Sequence, residues 1–357
     1  MMRKSIYRLS ILEKEKGRGD QVERKKSPEK RKKEKRFSFC QEFFLIKEGK
    51  EERFFDCPDR AWEKGLFLHM KSDLQENLFG LERKDALFFH EGKISLALRD
   101  FNSVEELEER AFRLFIPLQE ELKKEGLILC PLGVDPFSSF SFPPSLEPKE
   151  RARKIRAGTG GLYFGFPFEG EEDWRRKRAL AEVLSPILAA LFDHAPVFEK
   201  KPSPVFALRQ ELLRKAEGVF REKSEQKASM VISSMDALPL SYAFGAAALL
   251  LGLFASEENE EKLKDRLLPS CPENTRRGKD SARDNGIRGY YLSDYFVNWG
   301  MDFLNLAQEG LKKEDRVYLV PLKNLWSNLE APRDLPDFPY SKMPKEKPSS
   351  RKASTMA

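Results

Sequence analysis

The sequence predicts a chain of the α+β class, with strands and amphipathic helices interleaved along one long body. Three stretches carry that prediction. Gly161 to Phe168 reads GLYFGFPF. Leu162, Phe164, Phe166 and Phe168 fall on one side of a period-two pattern, as in a half-buried strand. Directly after it, Leu180, Val183, Leu184, Ile187, Leu188 and Leu191 recur at three- and four-residue steps, the stripe of a helix with one buried face. Phe37 to Ile46, FSFCQEFFLI, has the aromatic and β-branched make-up of a first strand.

The bulk numbers bound the rest. At 357 residues the chain holds one large domain or two ordinary ones, and it can bury a substantial core. The net charge of +6 hides an asymmetry. Residues 1–36 hold 15 Lys/Arg against 6 Asp/Glu and carry +9, and residues 342–357 carry +4, so the body between them carries −7. A weakly acidic body argues against a nucleic-acid-binding fold and leaves only the basic arm, 1–36, for such a partner. Cys40, Cys57, Cys130 and Cys271 are widely spaced and include no C-x-x-C pair, so neither a zinc knuckle nor a disulfide framework is expected. Reduced thiols point to a cytoplasmic chain. Met1 to Leu12 is too short, and too interrupted by Arg8, for a signal peptide. The most apolar run, Ala243 to Ala255, falls short of the roughly 20 residues a spanning helix requires. It reads as a buried core helix, and no membrane partner is expected.

In chain order, residues 1–36 are expected to be disordered: Lys, Arg and Glu dominate and no apolar periodicity follows Leu12. A single domain is expected over 37–330. After the first strand, Asp56 to Arg60 suggests a turn, and Leu66 to His69 and Ala86 to His90 suggest short strands. Gly92-Lys93 leads into an apolar strand, Ile94 to Leu98. Asn102 or Ser103 caps a helix with apolar positions Val104, Leu107, Ala111, Leu114, Leu118 and Leu122. Gly126 ends that helix, Leu127 to Leu132 forms a strand, and Ser138 to Pro148 is a Ser/Pro-rich loop. Gly158 to Gly161 lacks the G-K-[ST] of a phosphate loop and marks a strand start or a close backbone approach. Glu171, Glu172 and Asp173 suit the positive end of the next helix, which Ala195-Pro196 closes. His194, at the end of that helix, reads as a dipole partner or surface residue rather than an acid–base group. Met230 to Asp236 forms another strand, and residues 257–288 are helical and charged. From Ala331 the chain is rich in Pro, Lys and Ser, so 331–357 is expected to be a disordered basic tail.

The stretch Arg156 to Arg209 resembles the glutamate–cysteine ligase family. That family has the order T-x-S-x-Q-x-N-x-D, S-E-E-D, a helix ending L-x-P-x-x-x-A-L-F-A-N-S-P, then E-G-K-P and R-x-x-I-W. The matching residues are Thr159, Glu171-Glu172-Asp173, Leu184, Pro186, Ala190-Leu191-Phe192, Ala195-Pro196, Glu199, Lys201-Pro202 and Arg209. Glu42 stands at the second Glu of the family's first strand, I-G-I-E-x-E-x-F-L. Leu129, Pro131, Leu132-Gly133 and Asp135-Pro136-Phe137 repeat its L-L-P-L-G-x-D-P-F. Asp236 and Pro239 match its D-S-x-P, and Tyr290 to Leu311 resembles its closing helix, ending A-x-x-G-L.

The resemblance implies a mainly antiparallel curved sheet flanked by helices, the glutamine-synthetase-like fold. It also implies an ATP-dependent ligase that joins a glutamate carboxylate to the amine of cysteine through an acyl phosphate, as in glutathione biosynthesis. Mg²⁺ and ATP would be the cofactors, with Glu42 on the metal. Lys201 and Arg209 would bind substrate or nucleotide, and Arg209 would be catalytic. Such chemistry requires carboxylates on alternate strand positions to hold Mg²⁺. Here the family's polar positions carry Cys40, Ser95, Tyr163, Gly165, Val231 and Ser233. These six departures fall on four strands. They favour an alternative, a catalytically inactive relative that binds or regulates.

Overall fold

Alternating aromatic strands line up as one antiparallel sheet. The computed structural model describes residues 36–47, 86–90, 93–199, 201–216, 230–267 and 271–335. The strands β1 (Phe37–Lys47), β2 (Ala86–His90), β3 (Lys93–Phe101), β4 (Leu127–Cys130), β5 (Gly161–Phe166) and β8 (Met230–Asp236) form it in the order β2-β3-β1-β5-β8, with β4 also on β1. β1 is central because it is long. One edge pairs with β3 over Phe37–Phe44, and the other pairs first with β5 through Ser38–Gln41 and then with β4 through Phe44–Lys47. Two hairpins of two-residue strands, β6 (Val197–Phe198) with β7 (Lys201–Pro202) and β9 (Tyr290–Tyr291) with β10 (Asp294–Tyr295), lie outside the sheet.

The helices are α1 (Val104–Lys124), α2 (Pro148–Ala157), α3 (Gly170–Leu191), α4 (Leu208–Ala216), α5 (Leu240–Leu253), α6 (Glu257–Leu267), α7 (Pro272–Asn285), α8 (Phe296–Gly310) and α9 (Val320–Ser327). α1 begins where the Ser103 hydroxyl accepts from the Glu106 N–H, and the left-handed Gly126 follows its end. The expected apolar stripes of α1 and α3 are buried, and α5 is buried over Ala243–Leu253. No single helix among the described residues is long and apolar enough to cross a membrane.

Alternation gives the sheet two different faces. Phe37, Phe39 and Phe43 of β1, Leu96 and Leu98 of β3, Leu162, Phe164 and Phe166 of β5, and Ile232 and Met235 of β8 pack against α1, α3, α5 and α8 as the main core. A β-bulge in β8 keeps that core in register: Leu162 pairs with Met235 while Phe164 pairs with Ile232. The extra residue turns Asp236 onto the opposite face, opposite Gly161.

Behind the Asp236 end of that face, four loops cross. Gly133 N–H donates to the His194 carbonyl, Gly160 N–H to that of Gly133, and Ala237 N–H to that of Gly160. Asp236 accepts from the His194 N–H at 2.8 Å, and the His194 ring bonds the Ala237 carbonyl at 2.9 Å. A side chain at Gly133 would come within 2.0 Å of the Asp236 carboxylate, so the crossing requires glycine. Burial, with Asp193 as a second cause, raises Asp236 to about 7, and burial lowers His194 to about 4.

The sequence reading departs from the structure in several places. His194 is buried under the sheet, not on the surface, because the chain beyond Leu191 turns in beneath it. The helix expected from Tyr290 starts at Phe296, after the β9–β10 hairpin. α2 was not foreseen, since only Ala152 and Ile155 of its ten residues are buried and the rest show no stripe. The strand expected over Leu127–Leu132 ends at Cys130. The tail expected from 331 is still packed to Leu335: Arg333 donates to the Asp193 carboxylate at 2.8 Å and its N–H to the Asp193 carbonyl at 3.0 Å. The readings at Asp56–Arg60 and Leu66–His69, the arm 1–36 except Arg36, and the tail beyond 335 lie outside the described residues.

Two predictions follow from this packing. A Cβ at Gly252 would sit 2.3 Å from the Ala307 carbonyl oxygen where α5 meets α8, so Gly252→Ala is expected to lower stability by about 1–3 kcal/mol in urea unfolding. Between pH 4 and 7 the folded state holds a proton on Asp236 that the unfolded chain releases, so this group's contribution falls as pH rises. His194 acts oppositely between about pH 4 and 6.5, where the unfolded chain binds a proton the folded one refuses. Asp236→Asn removes only the falling term. Its stability relative to wild type is therefore expected to improve with pH over 4–7, by up to about 1.4 kcal/mol per pH unit. Parallel pH profiles for the two proteins would contradict this assignment.

Candidate functional site

The face of the sheet turned away from α1, α3, α5 and α8 grades from open to sealed along the strands. At one end lie Arg99, Ser38, Gly165 and Val231, linked as neighbours across β3, β1, β5 and β8, with Arg99 and Val231 exposed. At the other end Phe44 and Ile46 pack on Cys130 and Leu132 as a small apolar cluster. Between them sits a polar row built on Glu42, Lys93, Tyr163, Arg209 and Asp236.

Glu42 is the hub of this row, and both of its oxygens are engaged. Oε1 accepts from the Lys93 ammonium at 2.8 Å, and Oε2 accepts from the Gly161 N–H at 2.9 Å and the Tyr163 hydroxyl at 3.1 Å. Lys93 also donates to the carbonyls of Thr159 at 2.8 Å and Arg156 at 3.0 Å. Among the described residues its ammonium meets three oxygens, and the side chain is 4% exposed. Tyr163 accepts in turn from Arg209 Nη2 at 3.3 Å, while Nη1 donates to the carbonyls of Ser233 at 2.9 Å and Met235 at 3.1 Å.

Local packing sets Arg209 in place. Leu208 and Leu212 of α4 dock on Ala152 and Ile155 of α2, which leaves Arg209 beneath the sheet, 1% exposed. A Cβ on Gly161 would approach its Nη2 to 2.2 Å, so the close approach read from the GTGG run is real. Burial opposes the charge of Arg209, but Tyr163, Asp236 and Glu42 outweigh it and hold the group firmly protonated. Burial pushes the Tyr163 phenol up to about 12, so it stays a donor to Glu42. Burial, then the Glu42 charge, pushes the Cys40 thiol up to about 12 as well.

The structure thus joins two of the three residues the sequence proposed, Glu42 and Arg209, with Tyr163 as the bridge. Lys201 stands apart: it is exposed on the β6–β7 hairpin and takes no part in the network. Lys93 was missed. Alternation could have found it, since it lies two residues before Ser95 and shares that residue's face. Thr159, matched as a motif residue, serves through its carbonyl.

Mg²⁺, which the sequence resemblance implies along with ATP, takes near-octahedral oxygen ligands at about 2.0–2.1 Å. The residues present do not fit it. Glu42 faces an ammonium on one oxygen and two donors on the other, and a protonated Cys40 thiol is no ligand for a hard cation. Among the described residues no three His, Cys, Asp or Glu side chains converge on a point where a metal ion could sit.

No protein-family profile matches this chain, and no curated protein sequence matches it significantly. Solved structures do. The complex between the prokaryotic ubiquitin-like protein Pup and its ligase PafA is 13% identical with a TM-score of 0.50, over 83% of this chain and 63% of that one. Apo GmaS is 12% identical with a TM-score of 0.40, over 83% and 69% of the two chains. A novel glutamine synthase homolog is 17% identical with a TM-score of 0.39, over 83% and 66%. This chain thus spans 63% of the PafA chain. The first likeness shows a glutamine-synthetase-like fold, as the resemblance in sequence implied; the narrower glutamate–cysteine ligase assignment finds no support in these comparisons.

Proposed function

We propose that this chain uses a glutamine-synthetase-like ligase fold for binding rather than for amide-bond formation. One observation carries this reading: Glu42, the acid at the expected metal position, is neutralised by the Lys93 ammonium inside the protein. Acyl-phosphate chemistry on this fold depends on a divalent cation to offset the triphosphate charge. Glu42 is taken up by Lys93, Gly161 and Tyr163, and the row's other strand acid, Asp236, accepts from the buried His194 N–H, so neither is open to that cation. Arg209 supports the same reading. Its guanidinium is enclosed and bonded to Ser233, Met235 and Tyr163, so it braces the sheet instead of reaching a substrate carboxylate. A protein ligand has a precedent on this fold in the complex of Pup with PafA.

The competing reading is an ATP-dependent carboxylate–amine ligase, active on glutamate and cysteine, and the likeness of fold favours it. Purified protein with Mg²⁺, ATP and glutamate, with and without cysteine, separates the two. The binding reading expects no ADP and no γ-glutamylcysteine; steady release of both products would overturn it. A second measurement addresses Arg209. As a buried brace, Arg209→Ala is expected to cost about 3–5 kcal/mol of stability, because it strips partners from Tyr163 and two carbonyls and leaves Asp236 without its nearby cation. A substrate-binding arginine would instead lose turnover with the melting temperature unchanged.

A further inference from the structure

We propose that the Lys93 side chain is a tethered resident cation, seated where this fold would otherwise hold a metal ion, so that the polar row is permanently loaded and independent of divalent metal. The inference rests on the binding reading above and specifies what replaced the metal.

The surroundings of Nζ carry it. The atom lies 2.8 Å from Glu42 Oε1, 2.8 Å from the Thr159 carbonyl oxygen and 3.0 Å from the Arg156 carbonyl oxygen. One carboxylate and two backbone carbonyls form a donor set made for a cation, with spacing suited to an ammonium and wider than Ca²⁺ or Mg²⁺ would take. The three oxygens come from separate parts of the chain: β1, the C-terminal end of α2, and the turn into β5. A surface ion pair would leave them unconnected. Here the tether gathers the end of α2 and the start of β5 onto the central strand, as a structural metal does. The other strand positions on this face conform. Ser95 beside Glu42 and Ala97 beside Cys40 add no carboxylate next to the ammonium, and the row's other acid, Asp236, accepts from the His194 N–H.

Lys93→Ala tests this by emptying the seat while leaving its oxygens. Thermal unfolding of the full chain is followed with no addition, with ethylammonium, with Ca²⁺ and with Mg²⁺. Wild type is expected to be indifferent to all three cations beyond what matched ionic strength produces. The variant is expected to melt lower and to recover with ethylammonium, by about 5 °C at a hundredfold excess over the dissociation constant. Recovery is expected to vanish in the double variant Glu42→Gln, Lys93→Ala. Lys93→Met, which fills the space without a charge, should show none. If Lys93→Ala does not fold, Lys93→Gln with the same additions takes its place. A saturable stabilisation of wild type by Mg²⁺ that Glu42→Gln abolishes would overturn the proposal, since a metal would then displace the lysine. So would a folded Lys93→Ala or Lys93→Gln that no cation stabilises. Neither outcome depends on turnover, so the proposal and the binding reading can fail separately.

Discussion

A carboxylate taken out of water must be neutralised or bonded on every side, and Glu42 is both. That constraint organises the middle of the molecule. Its side chain is 10% exposed, on the strand that touches three others. An unpaired charge there would cost several kcal/mol. Lys93 on β3, and Gly161 and Tyr163 on β5, all close on it. The requirement passes outward through Tyr163 to Arg209 and from there to the carbonyls beside the β8 bulge. The sheet is consequently tied across its open face by charge as well as across its helix face by aromatic packing.

The two faces show different physics at work on the same alternation. On the helix side, Phe37, Phe164 and Phe166 pack ring to ring, with Phe37 and Phe166 edge to face at 5.7 Å. Burial of that kind tolerates exchange among large apolar residues. On the other side Glu42, Lys93 and Tyr163 each have defined partners, and Arg209 is held through Nη1 and Nη2 while its buried Nε has no hydrogen bond. Residue substitutions there act on geometry first. This is why Cys40, Ser95 and Gly165 are coherent as a set: small and uncharged, they surround a row that is already electrically complete.

Much of this was legible in the residue order. Period-two aromatics gave β1 and β5, the three- and four-residue steps gave α1 and α3, and the apolar run gave α5. The glycines of GTGG announced a close backbone approach, and Gly161 indeed makes room for Arg209. What escaped had little apolar signal. α2 buries only Ala152 and Ile155, and the β9–β10 hairpin has strands of two residues. The turn of His194 into the interior depends on a carbonyl of Ala237, distant in sequence.

The sequence by itself determined the mix of strands and helices and placed the main ones, because periodicity and residue type are local properties. It also singled out Glu42 and Arg209. Only the tertiary structure decided what those two do. A glutamate reads the same on paper whether it faces a metal, water or an ammonium, and Lys93 lies 51 residues away on another strand. The partner of a charge is a matter of which backbones meet: the sheet register brings Lys93, Glu42 and Tyr163 into one row, and the docking of α4 on α2 sets Arg209 beneath it.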